Sequence, residues 1–340
     1  MADTAPTYRA VEVAASGELQ LTRRPLLDPV AGEVRIKVDA CGVCHTDVAT
    51  IHPHPETEPN VVPGHEVVGV IDALGEGVEG WEIGRRVGVG LLGGNCGHCY
   101  ACRERDFLHC ENQQRTGLHR DGGYAEYMTA KTSGLVAIPA EYDSAAAAPL
   151  LCAGLTTYNA LIHAGVAPRD LVAVQAIGGL GHLAVQYADK MGMNTVALAR
   201  GSEKEPLALE LGADRYIDVS DAAAAVTALK ALGGADVIVT TASSGAASSA
   251  LVDGLAMNGK LMVVGASQDP VTIATGDVID RGIQVLGSLT GSPAENEENL
   301  AFASRQGVAA WIEVMPLAEA AAAYARMLEG KARFRMVLVP

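Results

Sequence analysis

Apolar residues come in short bursts over roughly the first 150 positions, at lengths that suit strands and not helices. EVRIKVDACG, HEVVGVIDALGEGVEG and RRVGVGLLGG are separated by glycine-rich turns, and no long amphipathic helix interrupts them. The pattern predicts a β-rich barrel carrying functional loops, with ETEPNVVPG and PHP among the loop segments. From Leu171 the texture changes. Apolar runs (LVAVQAI, TVALA, DVIVTTA, KLMVVGA, IQVLGS) alternate with alanine-rich helical stretches. That alternation predicts an α/β fold with a doubly wound parallel sheet. MPLAEAAAAYARMLEGK reads as a helix and ARFRMVLVP as a last strand. A lone strand beyond the parallel sheet needs a partner, so the tail is expected to return to the first half.

The 340 residues are enough for two domains of about 100–200 residues each. Hydrophobic residues make up 49% of the chain and aromatics 4%, so Val, Leu, Ile and Ala must build the core. A formal net charge of −15 argues against nucleic acid as a partner, because phosphates would be repelled. No apolar run has the length of a membrane span. MADTAPTYRAVEV lacks the basic patch and apolar core of a secretory signal, which points to the cytoplasm. Seven cysteines in such a chain imply thiols and metal, not disulfides.

Four of the seven stand in one run, NCGHCYACRERDFLHC. Cys96, Cys99, Cys102 and Cys110, spaced C-x2-C-x2-C-x7-C, suffice to close a tetrahedral shell around Zn²⁺. Such a site holds a loop in shape and leaves no open position. Cys41, Cys44, Cys152 and His65 remain. Cys44, His65 and Cys152 would make a Cys₂His set with a fourth position open to water or substrate. Taken singly each has a blander reading. Cys41 and Cys44 form a C-x-x-C that would suit a redox pair, His65 a loop histidine, and Cys152 a small buried hydrophobe.

The strand LVAVQ runs into Ala176, Ile177, Gly178, Gly179, Leu180 and Gly181, then into HLAVQYADKMG. This is the dinucleotide fingerprint with its first glycine replaced by alanine. Gly178 would admit a pyrophosphate close to the backbone, and Gly181 would let helix and strand pack. The alternative is a strand–turn–helix with no ligand. The strand that should end in an NAD-selecting carboxylate ends at Ala199, followed by Arg200, Ser202 and Lys204. Loss of that carboxylate, with Arg200 placed to pair a 2′-phosphate, favours NADP over NAD. Glu203 and Glu205 work against it.

These stretches together resemble the zinc-dependent alcohol dehydrogenases of the medium-chain dehydrogenase/reductase superfamily. CGVCHTD, PGHEVVG, NCGHCYAC with Cys110, GGYAEY, LCAGLTTY, IGGLGHLAVQYA and GKARFRMVL follow the family's order from about Cys41 to Arg335. The resemblance implies a GroES-like catalytic domain (1–153, completed by 290–340) and a Rossmann cofactor domain (154–289), with the active site in the cleft between them. It implies two zinc ions per chain and a nicotinamide cofactor. Cys44, His65 and Cys152 become the catalytic-zinc ligands and Cys41 a bystander. Asp47 would orient His65, and Glu66 would tune the metal from behind. Thr46 matches the hydroxyl that takes the alcohol proton, and His52 the base that passes it to solvent, with His54 a nearby decoy. His45, Thr156, Val264 and Arg335 match cofactor contacts, Arg335 at a phosphate.

Small-alcohol members tend to line the pocket with tryptophan. Here Pro55, Leu91 and Leu92 stand near those positions, which implies a wider pocket for medium-chain or aromatic primary alcohols and aldehydes. Homodimers or homotetramers are expected. Two other readings are weighed. A non-catalytic redox-sensing protein would cycle Cys41 and Cys44. A zinc-free quinone reductase on the same fold would lack both cysteine sets, so the sequence argues against it.

Overall fold

Val34, Ile36, Val38 and Ala40 alternate with Arg35, Lys37 and Asp39, and the structure buries the first set on one strand face. The computed structural model describes residues 6–14, 16–52 and 60–340. The chain divides into two compact units: one of Met1–Cys152, Gly291–Arg305 and Ala309–Pro340, the other of Ala153–Thr290 and Gln306–Val308.

The first unit begins with a hairpin of β1 (Thr7–Val13) and β2 (Leu19–Pro25). Its main sheet is built on β3 (Glu33–Val43), β4 (Val67–Leu74), β5 (Arg86–Val89), β6 (Tyr127–Lys131) and β7 (Leu135–Ala137). β3 is long enough to pair β4 along one edge and two different strands along the other. Its register shifts near Val38 and Ala40, and a bulge there bends the strand before it reaches Cys41.

The second unit carries β8 (Leu171–Gln175), β9 (Asn194–Ala199), β10 (Arg215–Asp218), β11 (Ala235–Thr240), β12 (Leu255–Val263) and β13 (Gln284–Gly287). All pairings are parallel, in the order β10-β9-β8-β11-β12-β13. Counted from β8 this is 3-2-1-4-5-6, with the topological switch between β8 and β11. Its inner strands β8, β9 and β11 are near-continuous buried runs, as a sheet covered on both faces requires.

The last strands, β14 (Ile312–Pro316) and β15 (Arg335–Val339), belong to the first unit, where β15 pairs antiparallel with β3 at Cys41, Gly42 and Val43. One sequence expectation is corrected here. Met315 and Pro316 were read as the start of a helix but end β14, and the helix runs only Ala320–Leu328. β14 has no clear alternation of its own. It is a strand because β15 offers a parallel edge from Ile312↔Arg335 to Pro316↔Val339. Among the described residues no single helix is long and apolar enough to cross a membrane.

Ala176, standing where the fingerprint has its first glycine, adopts φ +69°. It therefore takes the left-handed conformation that glycine supplies without strain. Ala176→Gly should raise stability, by up to about 1 kcal/mol, because relief of that strain slightly exceeds the entropy lost on fixing a glycine. Urea unfolding checks this, and a clear loss of stability would contradict the strain argument.

Candidate active site

β3 and β4 run antiparallel with Cys41 opposite Val67, so the chain leaving β3 and the chain entering β4 meet at one end of the sheet. Cys44 follows β3 directly; His65 and Glu66 directly precede β4. Cys152 follows the 3₁₀ turn Ala148–Leu151. The side-chain ligand atoms of Cys44, His65, Glu66 and Cys152 lie within 4.8 Å of one another, and all four residues are buried. The turn before Cys152 is held from far along the chain. Asn296 and Asn299, buried on the helix Pro293–Gln306, donate Nδ2–H bonds of 3.0 Å to the carbonyls of Leu151 and Leu150. They satisfy carbonyls that a helix end leaves without partners. Nothing in the sequence pattern singled them out.

Asp47, 1% exposed, organises the His65 side. Its Oδ2 accepts from the Cys44 N–H (3.0 Å) and the Tyr124 hydroxyl (2.8 Å), and its Oδ1 lies 3.0 Å from His65 Nδ1. A carboxylate accepting there places the ring proton on Nδ1 and leaves Nε2 as a lone pair. That Nε2 is buried and has no hydrogen-bond partner. An orphaned acceptor beside two cysteine sulfurs fits a metal cation and little else.

Glu66 is wholly buried and pairs with Arg335, 4% exposed, through Oε1. Its Oε2 has no partner. A Cβ on Gly42 would lie 1.8 Å from that oxygen, so glycine is required there. Burial pushes the Glu66 carboxyl up to about 7 against the pull of Arg335. The Cys44 thiol is drawn well below its ordinary value, chiefly by the bond from Cys152, whose own value rises well above it as the donor. Burial alone would lower His65, but Asp47 and Cys44 together carry it well above the ordinary range. A dication in this set favours the deprotonated form of each ligand.

Cys41 stands outside the set. It is buried between Gly64 and Gly123, where a Cβ would lie 2.7 and 2.9 Å from its sulfur. Burial raises its thiol well above the ordinary value, which is wrong for a redox-active pair with Cys44.

Cys96, Cys99, Cys102 and Cys110 also bring their sulfurs within 4.8 Å of one another. The Cys96–Cys102 and Cys96–Cys110 separations are 3.9 and 3.7 Å. Sulfurs on a tetrahedral zinc, with bonds of about 2.3 Å, lie about 3.8 Å apart. Backbone N–H groups of His98 and then Cys99 pull Cys96 down to about 5, while burial pushes Cys102 up to about 12.

In the second unit, the fingerprint loop joins β8 to the helix Gly181–Lys190. A Cβ on Gly181 would lie 1.9 Å from the Ala176 carbonyl oxygen, whereas one on Gly178 would meet nothing within 4 Å. Gly181 is thus spent on packing, and the space over Gly178 is the kind of cradle a pyrophosphate fills. Gly179 and Leu180 complete that loop, and His182 Nδ1 holds its Gly178 carbonyl at 2.9 Å.

Residues 30–140 match the alcohol dehydrogenase GroES-like domain, and residues 179–305 match the zinc-binding dehydrogenase family. The chain belongs to the zinc-dependent alcohol dehydrogenases of the medium-chain dehydrogenase/reductase superfamily. It is 41% identical to the alcohol dehydrogenase notN of Aspergillus sp., over 98% of each chain. Similar solved structures include a cinnamyl alcohol dehydrogenase from Sorghum bicolor, 32% identical, with a TM-score of 0.90 over 98% of each chain. Another is CAD from Helicobacter pylori complexed with NADP(H), 27% identical, with a TM-score of 0.85 over 98% of each chain.

As an alcohol dehydrogenase, the chain is an oxidoreductase of small-molecule alcohols and aldehydes that uses zinc and a nicotinamide cofactor. Its other expected site residues are placed as follows. His45, Thr46 and His52 are exposed, on or just beyond the short helical turns His45–Asp47 and Val48–Ile51. Thr156 is buried in the helix Ala153–Ala164, and Val264 follows β12 half-buried. Arg200 is exposed at the end of β9, and Lys204 Nζ donates to the Ile177 carbonyl at 3.0 Å. Arg335, expected at a cofactor phosphate, pairs with the Glu66 carboxylate, because β15 carries it into the interior beside that residue. His54 and Pro55 lie outside the described residues.

Removing one member of a buried ion pair strands the other charge. Arg335→Met should therefore cost about 3–5 kcal/mol of stability. Urea titration of this alcohol dehydrogenase checks it, and a loss under about 1 kcal/mol would mean that the pair carries no such load.

Proposed function

We propose that this alcohol dehydrogenase holds two zinc ions per chain, prefers NADP to NAD, and interconverts medium-chain or aromatic primary alcohols with their aldehydes. The observation that carries the reading is the partnerless, buried Nε2 of His65 in a set with two cysteine sulfurs. Cys44, His65 and Cys152 would hold one zinc, and Cys96, Cys99, Cys102 and Cys110 the other. When bound, the first zinc supplies a Lewis acid that favours the ionised form of an alcohol, and the nicotinamide supplies the hydride acceptor.

The chain's own residues do the rest. Two thiolates offset the charge of a dication, so an anionic oxygen is not opposed by a large excess of negative charge. Asp47 keeps the proton on His65 Nδ1. Thr46 Oγ1 accepts the hydroxyl proton of the alcohol and gives up its own toward His52, whose exposed ring releases it to solvent. Buried Leu91 and Leu92 support an apolar pocket, and the Sorghum bicolor neighbour's cinnamyl name agrees with an aromatic substrate.

Three features support NADP: Ala199 leaves no carboxylate at the end of β9, Arg200 is exposed, and the Helicobacter pylori neighbour was solved with NADP(H). Asp218 opposes it, since it accepts the Gly201 N–H at 2.8 Å and brings negative charge to the same loop. Exposed Ile279, Val285 and Leu289, on or near the edge strand β13, support a homodimer or homotetramer in which another copy covers that edge. None of the seven cysteines forms a disulfide, which suits a reducing compartment such as the cytoplasm.

Metal analysis should find two zincs per chain. Cys44→Ser should abolish turnover and lose one zinc with little change in fold, whereas Cys99→Ser should lose the other and chiefly lower stability. One zinc in the parent protein, or full turnover by Cys44→Ser, overturns the assignment.

A panel of alcohols with each cofactor tests the rest. NADP⁺ should be preferred, benzyl-type alcohols should exceed ethanol in kcat/KM, and Arg200→Ala should raise the NADP⁺ KM on the order of tenfold. An ethanol value equal to or above the others rejects the pocket reading, and an unchanged KM rejects Arg200.

A further inference from the structure

We propose that Tyr124 is a positioning residue of the Cys44–His65–Cys152 centre, its hydroxyl fixing Asp47 so that Asp47 in turn fixes the tautomer and aim of His65. The inference rests on the metal reading above and concerns a residue that the proposed chemistry does not touch.

The GGY stretch is built onto the segment that delivers His65. Gly122, Gly123 and Tyr124 donate N–H bonds of 2.7, 2.9 and 3.0 Å to the carbonyls of Val62, Gly64 and Pro63. The approach is close enough to forbid side chains at three positions. A Cβ on Gly122 would lie 2.0 Å from the Gly64 oxygen, and one on Gly123 would lie 2.4 Å from Val67. One on Gly64, whose φ is +97°, would lie 2.4 Å from the Tyr124 ring. The ring therefore covers the residue just before His65, with no solvent exposure.

From that position the hydroxyl donates to Asp47 Oδ2 at 2.8 Å. The Cys44 N–H takes the same oxygen. Two donors on Oδ2 stop the carboxylate from turning about its Cβ–Cγ bond and leave Oδ1 for His65. Backbone and side chain thus act together: the GGY ladder fixes where His65 begins, and the hydroxyl fixes which nitrogen keeps the proton. Burial and the Asp47 charge raise the Tyr124 pKa well above its ordinary value, so the hydroxyl remains a donor.

Tyr324 supplies a built-in control. It is buried in the same core and feels the Asp47 charge, yet its hydroxyl has no partner.

The test compares Tyr124→Phe and Tyr324→Phe as full-length, zinc-loaded enzymes. The readouts are zinc release to a chelator and the visible spectrum of the Co²⁺-substituted protein. Tyr124→Phe should release one of the two zincs up to about 10-fold faster, the low end of the effect of losing a direct outer partner of a metal-bound histidine, because it acts one step removed, through Asp47. Its cobalt spectrum should shift, while release of the second zinc and the urea midpoint match those of Tyr324→Phe. Added to Asp47→Asn, it should have no further effect, because it acts through Asp47. Parental release rates with an unshifted spectrum overturn the inference, as does an undiminished effect in the Asp47→Asn background. Faster loss of both zincs with a lowered midpoint marks a merely structural role and also overturns it. A parent protein that binds no zinc outside the four-cysteine lobe sinks the metal reading itself, and this inference with it.

Discussion

Asp47 is the residue on which the candidate centre turns. A carboxylate with almost no solvent contact is tolerable only if its lone pairs are taken. Here they are taken by a backbone N–H, a tyrosine hydroxyl and an imidazole N–H from three separate segments. Satisfying Asp47 therefore assembles the site. The chain after β3, the loop before β4 and the GGY stretch must all arrive together, or a buried charge is left bare. The cost of an unsatisfied carboxylate enforces a geometry that no single contact would hold.

The same logic governs Glu66 and Arg335. Arg335 opens the last strand, and the pairing of β15 with β3 carries it under the cysteines. The buried pair need not add net stability, since desolvating two charges offsets much of their attraction. Its consequence is positional. Gly42 has no side chain because Glu66 occupies that space, and one Glu66 oxygen remains uncommitted within reach of the ligand set. The family resemblance implies a position for Glu66 behind the metal, and a carboxylate oxygen of Glu66 lies within 4.8 Å of the ligand atoms of the other three groups.

What the sequence disclosed followed from how local the signal was. The cysteine lobe and the fingerprint are spacings within one short segment, and geometry can be read from them directly. The parallel, doubly wound sheet follows from the alternation of strands and helices, but the order of its strands does not, because more than one order satisfies the same right-handed crossovers. Cys44, His65 and Cys152 share no local pattern; ligand chemistry alone groups them as a candidate Cys₂His set, and the family resemblance makes them catalytic-zinc ligands. The GGYAEY motif contains Tyr124 but gives no local signal of its role, because an aromatic between apolar residues reads as core. Asn296 and Asn299 carry no local signal of burial, yet each is 2% exposed or less. β14 was missed because its strand character comes from a partner almost at the end of the chain.

The two cysteine sets also differ in what surrounds them, and that difference supports the separate work proposed for them. The small core of the lobe consists of Cys99, Cys102 and Cys110, with Cys96, Ala101 and Phe107 packed against them. Among the described residues no other apolar side chain joins that cluster, so an ion bridging the sulfurs would stand in for a hydrophobic core. Four thiolates around a dication would carry a net −2, which exposed Arg103 and Arg105 on the same loop can offset. The Cys44 set sits instead against the main core of the first unit, which includes Ile36, Val43, Val67 and Tyr124. Its backbone is held whether or not an ion is present. Two thiolates, one neutral imidazole and a dication sum to zero, a charge the interior can accept. A centre that neither supports the fold nor carries excess charge is free to exchange its fourth partner, and turnover requires that freedom.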